Sequence, residues 1–534
     1  MSESAIEALI LSTSTMKSQY GPLVGAIDEG TSSCRFIVFS ASTGKLVAKH
    51  QIALSQSFPN EGWVEQDPME ILSVVNGTME ACVEKLKDQG IEPSDIVAVG
   101  LTNQRESTIV WDKLTGEPLY NSIVWSDART TVTLDKILEV VPNKNKNYLA
   151  PLCGLPLSPY FSALKINWLM NNVPKVKQAI DEGRCCFGTV DTWVIWNLTG
   201  GKDGGKYVTD VSNASRTMLM NIETLQWDPM LCGFFTIPMD ILPTICSSSE
   251  IYGYFAAGSL KGIPISGCIG DQNAALLGQN CLKPGLAKST YGTGGFLLYN
   301  TGTHRVMSRQ GLLTTVGYKL GDEPAIYALE GSVAVAGAAI NWMRDNMGLI
   351  SGVDEVETLA DSHRHTGDVY FVPAFSGLYA PYWQPDARGI LCGITEDTTK
   401  GHIVLAALEA ICFQTCDILE AMRKDAGISL INLQVDGGMT ANNHLMQIQA
   451  DLCGIPVVRP QMVETTALGA AMAAGYAEGV KVWDLENSSS QFDTFTPKIT
   501  DAEREYRYAR WKMAIQRSLG WDISSSGTSG ARTT

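Results

Sequence analysis

The stretch Leu23-Val24-Gly25-Ala26-Ile27-Asp28-Glu29-Gly30-Thr31-Ser32-Ser33 reads as a short apolar strand that ends in an acid and turns through glycine and three hydroxyl residues. A second strand follows from Arg35 to Phe39, Gly44 marks the next turn, and a third strand is expected around Val47 to Leu54. Three antiparallel strands are the economical reading. Pro68 to Leu86 then carries helical periodicity, with Pro68 early and Gly90 past its end, and Ile96 to Leu101 reads as a buried strand. Strands, helix and strand in that order predict an α/β layer structure. The plan returns later: strand Ala287 to Tyr291, turn Gly292-Thr293-Gly294-Gly295, strand Phe296 to Tyr299. One strand–Gly/Thr turn–strand unit in each half predicts two related domains, each offering a hairpin tip to one cleft, with the boundary near Gly278.

Bulk properties agree with two domains. A chain of 534 residues exceeds the ~250–300 residues at which single cores stop growing. The formal charge of -16, from 40 basic and 56 acidic residues, argues against nucleic acid as partner. Thirteen scattered cysteines without a C-x-x-C pair fit a reducing, cytoplasmic compartment and speak against structural zinc. His363 and His365 read as part of a solvated loop. Residues 1–20 are polar and lack a basic n-region, which fits a flexible extension rather than a signal. No apolar run reaches the ~18 residues of a membrane helix, so no integral membrane segment is expected. Val333 to Ile340 reads as a packed helix, Gly200 to Gly205 as a surface loop, and 523–534 as a disordered tail.

Several segments carry chemistry. The first hairpin tip places the Asp28 carboxylate beside backbone and hydroxyl donors. Such a tip suits phosphate oxygens, with Asp28 as a magnesium ligand and Arg35 within reach of a phosphate. Thr102-Asn103-Gln104-Arg105-Glu106-Ser107 follows the buried strand, and its Arg–Glu pair offers the donors and acceptors a polyol needs. Ile269-Gly270-Asp271-Gln272-Asn273 repeats the theme, with Asp271 either a general base or a helix N-cap. Val435-Asp436-Gly437-Gly438 leads into a helix capped by Thr440 or Asn442 and running to Cys453, and a Gly-Gly turn there admits a nucleotide to the backbone. Gly285 to Thr290 superficially resembles a P-loop, but it lacks the glycine before Lys288 and leads into a strand.

These segments together resemble the FGGY carbohydrate kinase family, from about Leu23 to Trp521. The likeness rests on residues 28–33, 62–70, 102–107, 188–193, 270–276, 291–296 and 436–443. Two further signatures support it: Tyr160-Phe161-Ser162 with Lys165 and Trp168, and Gly389 through Cys392-Gly393-Ile394 to His402 and Glu409. The resemblance implies an actin-like ATPase fold of two ribonuclease H-like domains with an interdomain active-site cleft. An N-terminal domain would occupy 21–278 (substrate and phosphate side) and a C-terminal domain 279–522 (nucleotide side). It implies ATP and Mg2+ as cofactors and glycerol as acceptor, an entry step into glycerolipid and glycolytic metabolism. An FGGY kinase for another polyol or a ketopentose is the alternative, and a non-catalytic nucleotide-binding scaffold a distant one; self-association is compatible with all three. By resemblance, Thr31, Ser32, Ser33 and Arg35 contact phosphates, and Thr293, Gly337, Asn341, Gly438 and Asn442 contact the nucleotide. Gly337 and Asn341, four apart in an expected helix, share a face. Arg105, Glu106, Tyr160, Asp271 and Gln272 fall on glycerol, Asp271 as catalytic base, with Trp125 and Phe296 as the apolar wall. Glu29, Cys34 and Gly295 replace Gln, Ser and Cys of the common bacterial pattern. The bacterial regulatory glycine-rich loop with its Arg becomes Ala256 to Gly262 here, so fructose 1,6-bisphosphate inhibition is not expected.

Overall fold

A computed structural model describes residues 20–333, 335–363, 365–384, 386–486 and 491–521. The expected flexible extension and disordered tail lie outside the described residues, save Tyr20. The chain divides into two compact units. The first comprises residues up to Asn280 with Thr315–Ile326 and Glu464–Ser490; the second comprises Cys281–Thr314, Tyr327–Val463 and Gln491 onward.

The first unit is built on a six-stranded sheet. Its strands are β1 (Leu23–Glu29), β2 (Ser33–Ser40), β3 (Leu46–Ala53), β4 (Ile96–Asn103), β5 (Ser249–Tyr254) and β6 (Pro264–Gly270), in the order β5-β6-β4-β1-β2-β3. β1, β2 and β3 pair antiparallel, as the turn residues required, and β4 pairs parallel to both β1 and β6. The register sets Asp28 opposite Thr102, and Thr102 opposite Ile269. The carboxyl ends of three parallel strands therefore lie side by side, where open α/β sheets collect ligands. Beneath them, Ile27, Phe36, Val38, Ile71, Val75, Trp111 and Trp193 share one buried core. The helix expected from Pro68 runs Pro68–Asp88, with the Asp67 side chain accepting the Met69 N–H.

The other side of this sheet is covered by a helix from far along the chain, Thr465–Tyr476, which is buried along nearly its whole length. Its sequence is Ala- and Gly-rich because it lies directly on backbone. A Cβ at Gly100 in β4 would stand 2.1 Å from the Ala470 carbonyl oxygen, and one at Gly469 would stand 1.9 Å from the Ala274 carbonyl oxygen. Neither contact tolerates a methyl group.

The second unit repeats the plan. The second sheet has β7 (Ala287–Tyr291), β8 (Gly295–Gly302), β9 (Leu313–Tyr318, of which Thr315–Tyr318 cluster with the first unit), β10 (Ile326–Val333), β11 (Leu433–Asp436), β12 (Val457–Pro460) and β13 (Phe492–Phe495), in the order β9-β10-β8-β7-β11-β12-β13. The β7–β8 hairpin is antiparallel and β11 runs parallel to β7, the same relation that β1, β2 and β4 show. The helix Gly337–Asp345 follows β10, so the expected packed helix starts later than Val333. Lys400–Ala426 is long and apolar enough to span a membrane, yet 83% of its apolar window is buried within the fold. Its polar residues explain the difference: Glu409 pairs with Arg507, and Asp417 accepts from the Trp511 indole at 2.9 Å.

Candidate active site

In the first unit the hairpin tip between β1 and β2 has its acceptors already engaged. The Thr31 carbonyl takes hydrogen bonds from the side-chain amides of Gln56 and Gln66, each 2.8 Å, and the Ser32 carbonyl takes the Leu54 N–H at 2.9 Å. Trp125 donates its indole N–H to the Thr31 hydroxyl. A tip whose carbonyls are tied back suits an anion. Asp28 ends β1 almost fully buried and pairs with Arg35 at 3.0 Å. Burial outweighs Arg35 and raises its carboxyl to about 6. Burial likewise lifts Glu29 to about 8, against hydrogen bonds from the Gln104 amide and with the charges of Asp28 and Asp271 adding to the rise. The Asp28 carboxylate is a hard oxygen donor of the kind a divalent cation such as magnesium takes.

The strand ends beside it hold the polyol candidates. Arg105 is buried, its Nε 3.4 Å from Asp271 and its Nη1 3.1 Å from Asn273 Oδ1. Asp271 opens the helix Asp271–Gly278, but Gly270 occupies the cap position, and Asp271 Oδ1 instead accepts the neighbouring Gln272 N–H at 2.6 Å. The N-cap alternative is therefore not the arrangement found. Asp271 and Gln272 are partly exposed at the sheet edge where Arg105 is buried. Tyr160 lies edge-on to Trp125, ring centroids 5.5 Å apart, and the buried Lys165 ammonium donates to the Tyr160 carbonyl. Burial lowers Lys165 to about 8, with Glu106 and Asp127 opposing. Glu106 adopts φ 61°, a left-handed conformation rare for a side-chain-bearing residue. Arg105, Glu106, Tyr160, Trp125, Asp271 and Gln272 all belong to this unit.

One residue of this neighbourhood escaped the sequence reading. Arg216, fully buried, meets Glu106 with Nε to Oε1 at 2.6 Å. The 110 residues between them hid the pair. The only trace in the sequence is an arginine following the polar run Asp210-Val211-Ser212-Asn213, too weak a signal to single out.

In the second unit, Thr293 sits at the β7–β8 tip, and its carbonyl accepts from both Ala336 and Ala338 N–H at 3.0 Å, while Gly292 accepts from Gly337 at 3.0 Å. The tied-back threonine carbonyl of the first tip thus recurs. Gly337 and Asn341 lie on one face of the helix Gly337–Asp345. Gly437 has φ 92°, and a Cβ there would stand 2.3 Å from the Tyr291 carbonyl oxygen, so only glycine lets this loop approach β7. Gly438 is exposed, with nothing within 4 Å of an added Cβ. Of the two cap alternatives, Asn442 caps the helix Asn443–Cys453, accepting the Leu445 N–H at 2.9 Å, and Thr440 bonds back to Gly437. Phe296 lies on β8, in this unit rather than with the other polyol candidates.

Two hairpin-tipped α/β units of this kind define the actin-like ATPase fold class. Residues 23–278 match the N-terminal domain, and 287–478 the C-terminal domain, of the FGGY family of carbohydrate kinases; the chain belongs to this family. It is 49% identical to a probable glycerol kinase of Dictyostelium discoideum, covering 94% of this chain and 99% of that one. It is 51% identical to the glycerol kinase of Clavibacter michiganensis, covering 93% and 97%. Among solved structures, Plasmodium falciparum glycerol kinase with ADP superposes with a TM-score of 0.87 at 40% identity, covering 93% of this chain and 98% of that one. Gluconate kinase from Lactobacillus acidophilus shares the fold at 20% identity and a TM-score of 0.83, covering 95% and 100%.

Proposed function

We infer that this chain transfers the γ-phosphoryl group of ATP to glycerol, giving sn-glycerol 3-phosphate and ADP. The observation that carries this is identity of about half, over nearly full length on both sides, to proteins named as glycerol kinases. The xylulose kinases of similar structure, about a fifth identical, share the fold.

Phosphoryl transfer asks for alignment and charge neutralisation rather than covalent chemistry from the protein. In this reading Asp271 accepts the proton of the attacking hydroxyl, and Arg105 holds it in place at 3.4 Å. Arg105, Glu106 and Tyr160 hold the other hydroxyls, Gln272 assists, and Trp125 and Phe296 pack on the carbon chain. Thr31, Ser32, Ser33 and Arg35 receive phosphate oxygens at the first tip. Thr293, Gly337, Asn341, Gly438 and Asn442 receive the rest of the nucleotide. Asp28 holds magnesium, which when bound neutralises phosphate charge. A cytoplasmic setting is part of this reading, supported by thirteen scattered cysteines that form no C-x-x-C pair.

The test is ADP release coupled to NADH oxidation, with glycerol, dihydroxyacetone and xylulose compared at equal concentration. Glycerol-dependent release well above the other two is expected. Preference for xylulose would replace this reading with the ketopentose one, and no release with any acceptor would favour the scaffold.

A further inference from the structure

We propose that Arg216 is a positioning residue for polyol binding, fixing the Glu106 carboxylate and the Tyr160 ring from behind. The proposal rests on the reading that Glu106 and Tyr160 touch the acceptor. Arg216 reaches Glu106 Oε1 through Nε at 2.6 Å, and its guanidinium carbon lies 5.3 Å from the Phe161 ring centroid and 6.0 Å from that of Tyr160. Glu106 and Arg216 are 1% and 0% exposed, so the pair meets out of bulk water.

The segment bearing Arg216 is itself anchored to the strand end that bears Glu106. Asp210 accepts the N–H groups of Ser212 at 3.0 Å and Asn213 at 2.9 Å. Asn213 and Asn103, the last residue of β4, exchange two side-chain amide bonds of 3.0 Å each. From the other direction, Ser162 Oγ donates to the Glu106 carbonyl at 3.1 Å, and Ala163 N–H donates to the Thr217 carbonyl at 2.9 Å. The strand end, the Tyr160 segment and the Arg216 segment are thus bound to one another by hydrogen bonds.

The chemistry follows from burial. A buried carboxylate that loses its cationic partner takes up a proton, and an acceptor oxygen for a substrate hydroxyl becomes a donor. Lys165 also faces Glu106 electrostatically, but its ammonium bonds the Tyr160 carbonyl, and Arg105 is engaged with Asp271 and Asn273. The guanidinium of Arg216 is in direct contact with the carboxylate through Nε and Oε1, and its planar shape constrains the rotamer as well as the charge.

The test compares Arg216→Met and Arg216→Lys with wild type by steady-state kinetics in both substrates, with thermal unfolding alongside. Arg216→Met is expected to raise the glycerol KM by ~10–150-fold, the effect of losing a charge-assisted hydrogen bond, with the ATP KM within about 2-fold. Arg216→Lys keeps the charge but not the planar fork, and is expected to fall between the two. A folded Arg216→Met enzyme with unchanged glycerol KM, or with both KM values raised equally, overturns the proposal. Should Arg216→Met not fold, Arg216→Lys decides alone: a wild-type glycerol KM there overturns it. Wild-type protein without glycerol-dependent ADP release sinks the functional reading and the proposal with it. An active wild type with an indifferent Arg216→Met sinks the positioning role only.

Discussion

Trp125 donates its indole N–H to the hydroxyl of Thr31 at 2.9 Å, which ties the proposed apolar wall of the polyol site to the proposed phosphate-binding tip. Trp125→Phe keeps an aromatic wall and removes that bond. The Michaelis constants for both glycerol and ATP are expected to rise, each by roughly 2–10-fold, the value of one neutral hydrogen bond. A rise confined to glycerol would mean that the bond does not help to order the tip.

Asp271→Asn preserves shape at the first residue of its helix while removing the ability to accept a proton. Turnover is expected to fall ~10²–10⁴-fold. Glycerol affinity measured by calorimetry should stay within a few-fold, since the amide oxygen still faces Arg105. Turnover above about a tenth of wild type would remove Asp271 from the role of base.

Glu29 offers a pH test. Burial raises its carboxyl from the ordinary 4.5 to about 8, so between those values the folded protein holds a proton that the unfolded chain has released. This group's contribution to stability is therefore largest below pH 4.5, declines as pH rises, and levels off above about 8. Glu29→Gln carries no such dependence. The melting temperature of the variant should pull ahead of wild type progressively from pH 5 to 8 and stay ahead by a constant margin beyond. ATP kcat/KM should also decline near pH 8 in wild type, as a new charge appears beside Asp28, and decline less in the variant. Parallel melting curves across that range would contradict a buried, protonated Glu29.

Fructose 1,6-bisphosphate at millimolar concentration should leave the rate unchanged at every protein concentration tried. Ser259 of the loop 256–262 donates its N–H to Glu80 at 2.9 Å, and its hydroxyl bonds the same carboxylate. An acid thus lies against the segment where a bisphosphate would need an arginine fork. Saturable inhibition would place a bisphosphate site on another surface.

Local chemistry made much of this molecule legible in advance. The strands at 23–29 and 96–103 declare themselves through apolar runs that end in polar residues, the strand at 287–291 through the Gly/Thr turn that follows it, and the helix from Pro68 through its periodicity. Asp28, Asp271 and Arg105 were found because each lies at the carboxyl end of such a run. What stayed hidden depends on contacts distant in sequence. Arg216 gains its meaning from Glu106, 110 residues earlier. Residues 315–326 belong with the first unit, where Asn273 Nδ2 donates to the Val316 and Gly317 carbonyls at 2.7 and 3.0 Å, a pairing no periodicity announces. The helix Thr465–Tyr476 reads as a generic Ala-rich core helix, and nothing local says which sheet it covers.

That helix carries a consequence for biosynthesis. A chain leaving the ribosome has produced the whole six-stranded sheet once Gly270 emerges, yet the backbone strip around Gly100 waits for residues 465–476, nearly two hundred residues later. Until then the nascent first unit carries an open apolar face, the kind of surface that chaperones hold and aggregates exploit. A premature stop anywhere before the end of this helix therefore damages the early half of the protein as much as the late half, and a fragment cut at the family's own domain border near 278 inherits the same open face.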